Sequence, residues 1–360
     1  MIKKKFRQGS ALLLAVVLGI SAFVVFKTHA ALGVDVDREC SLQINVPEEG
    51  FGELQGLEIP VNIYRVADIT VSGKYILTAA FEEKGLDALE TLSESPSAEE
   101  WQQLVDAARK AVDDGLAAET PIDAVGTEDV TEVPSVVIAE GTVTISGGED
   151  DKLPVGLYLV YAQDVESEIY KYSFLPLLIS LPGNNYTETG VADDIWIYDL
   201  VEENAVSLKP AKTDLFGNLV IQKELEVFNG TYDSATFVFR IEATKLDPDA
   251  SEGTAPVKVF SDVVAMNFTG PGTQEITVGP MPAGSIVTVT EVYSGASYST
   301  DEDTQETVIV AEEVLAKDPE SVIAAVSFTN THNNRINGGS GIVNTFSYDN
   351  GVWTYEAQRR

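Results

Sequence analysis

Apolar and polar residues alternate with a period of two through most of the chain beyond residue 39. The segments CSLQINV (40–46), IPVNIYRVADI (59–69), GLYLVYAQ (156–163), FLPLLISLP (174–182), NLVIQKELEV (218–227), TFVFRIEA (236–243), QEITVG (274–279), SIVTVTEVY (285–293) and IAAVSFTN (323–330) are short and rich in Val, Ile, Thr and Tyr. Gly, Pro, Asn and Asp punctuate them. This pattern predicts strands, and many short strands at modest spacing predict β-sandwiches.

Three stretches depart from the alternation. SAEEWQQLVDAARKAVDDG (97–115) places Trp101, Leu104, Val105, Ala108 and Val112 at helical spacing. Ser97 and Glu100 have the spacing of a capping box, and Gly115 reads as a stop. This is an amphipathic helix inserted between strands. NAVSLKPAKTDLFGN (204–218) reads as a polar linker, which places a boundary near residue 210; Lys209 and Lys212 there read as solvated linker lysines. Beyond a Gly-rich break (333–341), Asp349-Asn350-Gly351 between two aromatic runs predicts a β-hairpin over 342–357. The expected architecture is all-β: two tandem sandwiches over 31–210 and 211–335, the first with the helix, then a linker and hairpin tail over 336–360.

The N-terminus adds a processing signal. A basic head (MIKKKFRQGS) precedes one apolar run (11–26) and the small-residue exit Lys27-Thr28-His29-Ala30. That order predicts a secretory signal peptide over residues 1–30, cleaved after Ala30. If it stays uncleaved, this segment is the chain's sole expected membrane contact. Its removal takes away five positive charges (Lys3, Lys4, Lys5, Arg7, Lys27) and no acid from a chain already at −34. Such acidity argues against nucleic acid as a partner, since phosphate binding needs basic patches. Cys40 is the single cysteine, so no internal disulfide staples an exported chain, and Cys40 itself reads as a small core residue.

The sharpest feature is a set of polar residues on apolar faces. In 218–227 one face holds Leu219, Ile221, Lys223, Leu225 and Val227. In 285–293 one face holds Val287, Val289, Glu291 and Tyr293; in 322–330 one face holds Val322, Ala324, Val326, Phe328 and Asn330. A buried charge must be paired, neutralised or consumed. Burial lowers the pKa of a lysine and raises that of a glutamate. A neutral Lys223 amine is a nucleophile, and a protonated Glu291 carboxyl polarises an amide carbonyl and relays protons. The available chemistry is attack of Lys223 on the Asn330 side-chain carbonyl, with loss of ammonia, to give an isopeptide. Parity alone leaves the alternative open that Lys223 snorkels out, Glu291 ends a strand and Asn330 caps a turn.

Lys223 in the opening strand, PAGSIVTVTEVYSGASY (282–298) with Glu291, and VSFTNT (326–331) with Asn330 together resemble the collagen-adhesin B-type (Cna B-type) domains of Gram-positive surface proteins and pilins. The resemblance implies an immunoglobulin-like sandwich over about 211–333 with an autocatalytic Lys223–Asn330 cross-link and Glu291 as the acidic catalyst. The first half resembles the N-terminal domains of the same proteins through LPVGLYLVYAQ (153–163) and FLPLLISLP (174–182). Its first strand carries Cys40, Leu42, Ile44 and Val46 inward, and the expected acid position falls near Ala162. No cross-link of this type is expected there. Wall-anchored relatives end in an LPxTG-like sorting motif, whereas this chain ends WTYEAQRR, so attachment through that end is not expected.

These readings converge on a secreted or surface-exposed structural or adhesive protein. Its expected partners are other surface or pilus proteins and a host or matrix ligand. No cofactor, no metal site and no enzymatic activity beyond single-turnover self-cross-linking are expected. The alternatives are a secreted ligand- or carbohydrate-binding module, with Trp196 and Trp353 as platform candidates, and an extracellular hydrolase. Gly-x-Ser-x-Gly and His-Glu-x-x-His motifs are absent from the sequence, and its two histidines are His29 and His332.

Overall fold

A computed structural model describes residues 33–92, 97–122, 136–145, 153–184, 196–295, 297–300, 302–333, 342–349 and 352–359. The proposed signal peptide and its cleavage site lie outside the described residues. In the first half the main elements are β1 (Glu39–Asn45), β2 (Ile59–Ile69), α1 (Ala98–Ala117), β3 (Gly156–Ala162), β4 (Tyr170–Leu175), β5 (Leu177–Leu181) and β6 (Lys209–Asp214). The second half holds β7 (Phe216–Leu225), β8 (Ala235–Lys245), β9 (Val257–Phe268), β10 (Gly272–Pro282) and β11 (Ile286–Tyr293). It continues with β12 (Tyr298–Thr300), β13 (Thr304–Val308), α2 (Glu312–Lys317) and β14 (Ala324–His332). The tail strands are β15 (Ile342–Asp349) and β16 (Val352–Arg359). The chain is predominantly β, as the alternation predicts.

Alternation sets which residues reach the interior. On β1, Cys40, Leu42 and Ile44 are buried, and so is Val46 just beyond its end. The first core gathers buried side chains from Val34 to Leu208, and β2 and β3 pair antiparallel at its centre with β5 on the far side of β3. Helix α1 buries Leu104, Val105, Ala108, Ala111 and Val112, and both halves of the Ser97/Glu100 capping box form. Tyr161 on β3 donates its hydroxyl to Asp113 Oδ1 at 3.0 Å, tying the helix to the sheet.

The second core runs from Leu219 to Phe328 and fills the space between two four-stranded sheets. One sheet has the order β10-β7-β14-β12 and the other β9-β8-β11-β13. The first and last strands, β7 and β14, lie side by side and parallel, with Lys223 opposite Phe328 and Leu225 opposite Asn330. Parallel neighbours cannot be joined by a tight turn, and here the rest of the sandwich forms the crossover.

Several expectations are corrected. The segment read as a linker is mostly strand: β6 pairs with β4 from Lys209↔Leu175 to Asp214↔Tyr170 and runs almost directly into β7. Its side chains are exposed or half-buried and none is fully buried, while its backbone is satisfied by β4. Lys212 is not a free linker lysine; its side chain is only 22% exposed and bonded to two aspartates. Gly115 does not stop α1, which continues to Ala117. Its missing side chain makes room for the returning chain, since a Cβ would lie 2.9 Å from the Thr120 carbonyl, and Glu119 (φ 56°) takes the left-handed turn. Val227 and Val322 are exposed because β7 ends at Leu225 and β14 begins at Ala324. The predicted hairpin forms from β15 and β16. Phe346, Trp353 and Tyr355 share a shallow cleft with Arg240, Val263 and Val292. No helix among the described residues is long and apolar enough to cross a membrane.

Candidate cross-linking site

Three strands position the three inward polar groups. Lys223 sits on β7 between the buried Ile221 and Leu225, Asn330 follows the buried Phe328 on β14, and Glu291 follows the buried Val289 on β11. Because β7 and β14 are hydrogen-bonded neighbours, Lys223 and Asn330 share one face two positions apart in register. Glu291 approaches from the facing sheet. A bulge at Val238/Phe239 sets its pairing opposite Phe239, and its N–H donates to the Asp303 carbonyl at 2.8 Å.

The structure brings all three predicted groups together. Lys223 Nζ lies 3.1 Å from Glu291 Oε2, and Asn330 Nδ2 donates to Glu291 Oε1 at 2.6 Å. The Lys223 and Glu291 side chains are both 0% exposed. Lys223 neither snorkels nor reaches water, which removes the bland alternative for that residue. Asn330 Oδ1 is buried with no hydrogen-bond partner. An orphaned buried carbonyl is unfavourable, and it is also the atom that a protonated carboxyl would polarise. A half-turn of the amide presents Oδ1 to Glu291 in place of Nδ2.

The surroundings are aromatic and dry. The Phe237 ring centre lies 4.9 Å from Lys223 Nζ. Phe239 packs against Phe328 at 5.2 Å, and Phe237 makes edge contacts with Phe268 and Tyr298. Burial pushes the Lys223 pKa down, against the pull of the Glu291 charge and hydrogen bond. Burial pushes Glu291 up, against Lys223 and the Asn330 hydrogen bond, with the Asp303 charge adding to the rise. Both shifts favour the neutral pair, amine and carboxylic acid, over what the same groups would be in water. Sequence parity missed the aromatic lining and Asp303; Phe237 was legible as an inward β8 residue, but its place over the amine was not.

Among the described residues the buried lysines, glutamate, asparagine and serines (Lys223, Lys245, Glu291, Asn330, Ser285 and Ser297) lie in the second half. Cys40 is buried, and burial, the Asp199 charge and the opposing Arg38 charge leave its thiol pushed up to about 12, the setting of an inert core thiol. Ala162, at the position of a first-half acid, is buried in the first core. Among the described residues no three His, Cys, Asp or Glu side chains converge as a metal site.

No family model matches the chain, and no curated protein matches it. Among solved structures it is similar to a Streptococcal ancillary pilin (13% identity, 88% of this chain and 80% of that chain, TM-score 0.23). It is also similar to the major pilin T3.2 of Streptococcus pyogenes (9% identity, 82% and 96%, TM-score 0.24). A third is GBS52, the minor pilin of Streptococcus agalactiae (12% identity, 81% and 96%, TM-score 0.21). TM-scores this low establish no shared fold, so the chemistry rests on the distances above.

Proposed function

We propose that this chain is an exported structural or adhesive protein of a Gram-positive cell surface, pilin- or adhesin-like, whose second sandwich (about 216–332) is a Cna B-type module sealed by a Lys223–Asn330 isopeptide. The observation that carries this reading is the buried Lys223–Glu291–Asn330 contact, with both ends of Glu291 engaged and the Asn330 carbonyl unpartnered.

The reaction balances within the site. Glu291 takes a proton from the ammonium, giving a neutral amine and a carboxylic acid. The acid hydrogen-bonds the Asn330 carbonyl, and Lys223 Nζ attacks Cγ to form the new C–N bond. Glu291 then delivers a proton to Nδ2, the Cγ–Nδ2 bond breaks, and ammonia leaves. Lys223 and Asn330 end as one secondary amide, and Glu291 is regenerated as a carboxylic acid when it accepts the remaining amine proton. The event is a single turnover, not enzymatic catalysis. The bond joins the first strand of the module to the last. It thereby supplies a covalent staple to an exported chain that has only one cysteine.

Export through residues 1–30, partners among other surface or pilus proteins, and a host or matrix ligand complete the reading. Mass spectrometry of digested protein should find one branched peptide joining the Lys223 and Asn330 segments, lighter by one ammonia than their sum. Glu291→Ala should abolish it. Separate, full-mass peptides from folded wild-type protein would overturn the cross-link. N-terminal sequencing of protein from the native host should begin at Ala31.

A further inference from the structure

A second set of charged contacts lies where the two cores meet. The connection is a single residue, Leu215, between β6 and β7. Its N–H donates to the Ile169 carbonyl at 3.0 Å, and its carbonyl accepts from Ala283 N–H at 2.8 Å. Leu215, Ala283 and Ala311 form a small buried cluster with Ile169 and Val314 against it. Gly284 (φ +76°) lets the halves approach, since a Cβ there would meet Ile169 Cγ2 at 2.8 Å.

Lysines and aspartates bind this seam. Lys212 on β6 reaches forward to Asp247 and Asp249 at 2.9 and 3.0 Å. Lys245, at the end of β8, reaches back to Asp214 at 2.5 Å. The Tyr170 ring of β4 lies 4.9 Å from Lys212 Nζ and 4.3 Å from Lys245 Nζ, so one first-half ring contacts both ammonium groups. Asp249 Oδ1 also accepts the Gly52 N–H at 2.9 Å, and Lys317 of α2 pairs with Glu166 at 2.5 Å. Ties thus run from Gly52, Glu166 and the β4 region of the first half to three separate segments of the second. A single-strand connection would leave bending and twisting free, and several separate ties restrict both. The charge balance gives them a reason. With 57 acidic and 23 basic residues, two acidic halves repel each other, and these lysines supply opposite charge where the halves touch.

We infer that Lys212, Lys245 and Tyr170, with Asp214, Asp247 and Asp249, form a charge-paired clasp that holds the two sandwiches in one fixed orientation, making them a single rigid unit. Lys212 is held between Asp247 and Asp249, Lys245 pairs with Asp214, and the ring supplies a face for both cations. The clasp is separate from the cross-link, which lies inside the second core, and its test does not depend on that bond.

Spin labels on the exposed positions Glu99→Cys and Gln274→Cys would report the distance between the halves by electron double resonance. Cys40 stays in place, because it is buried and takes no label. Wild type should give one narrow distance distribution at low salt. Lys212→Met with Lys245→Met keeps the apolar stems and removes the charges, and should lose the narrow distribution. Lys212→Arg with Lys245→Arg should retain it. Far-ultraviolet circular dichroism and an unchanged second-core melting transition would show that the methionine variant is folded. A broad wild-type distribution, or a methionine variant as narrow as wild type, would overturn the clasp. An arginine variant as broad as the methionine one would overturn its dependence on charge.

Discussion

Replacing Asn330 by alanine separates a linked from an unlinked second module by magnitude as well as by mass. The substitution removes the electrophile but leaves the Lys223–Glu291 pair at 3.1 Å, so no buried charge is stranded. Truncating Lys223 or Glu291 instead would strand one. If wild type is linked, Asn330→Ala opens a closed loop of roughly 100 residues, which costs about 4–5 kcal/mol in the chain-entropy account developed for disulfides. If wild type is unlinked, the loss is instead the 2.6 Å hydrogen bond from Asn330 Nδ2 to Glu291, about 1.5–3 kcal/mol for a bond to a charged group; in the linked protein that nitrogen has already left as ammonia. At about 4 °C per kcal/mol for a domain near this size, the linked case lowers the melting temperature by about 16–20 °C and the unlinked case by about 6–12 °C. The assay is scanning calorimetry of the second-module transition, with intact mass measured on the same samples. Wild type at full mass, together with a shift in the smaller range, would refute the reasoning.

Three further outcomes follow from the same contacts. Burial lowers Lys223 and raises Glu291, which fixes the sign of the pH dependence in Asn330→Ala, where the pair stays unlinked. The Glu291 contribution is present below the ordinary carboxylate range and lost as pH climbs through its raised value; the Lys223 contribution is present above the ordinary lysine range and lost as pH falls through its depressed value. The difference in urea midpoint between Asn330→Ala and a Lys223→Met, Glu291→Gln, Asn330→Ala protein should therefore be least favourable near neutral pH, and a maximum there would contradict both shifts. Cys40, buried with its thiol pushed up to about 12, should resist iodoacetamide at about pH 8 in the native protein and react promptly in denaturant; equal rates would show an open thiol. A Cβ at Gly217 would sit 1.9 Å from the Val310 carbonyl, so Gly217→Ala should cost at least the roughly 1–3 kcal/mol of core overpacking, and an unchanged urea midpoint would show that the β7 entry is not packed as described.

Side-chain direction was determined by the sequence alone. A strand turns every second residue to the same face, so the parity that buries Ile221 and Leu225 also buries Lys223, and the same holds for Glu291 after Val289 and Asn330 after Phe328. The helix was equally local: Ser97, Glu100 and the spacing of Leu104, Ala108 and Val112 lie within one element. Tertiary structure decided which inward residues meet. Glu291 is 68 residues from Lys223 and 39 from Asn330, and only the parallel pairing of β7 with β14, with β11 across the core, closes those gaps. It also decided β6, which buries no side chain fully and so carries no apolar strand signal; its order comes from backbone bonds to β4. The clasp was hidden for the same reason: Lys212 and Lys245 resemble any surface lysines until Tyr170, Asp214, Asp247 and Asp249 are brought against them by strands far apart in the chain.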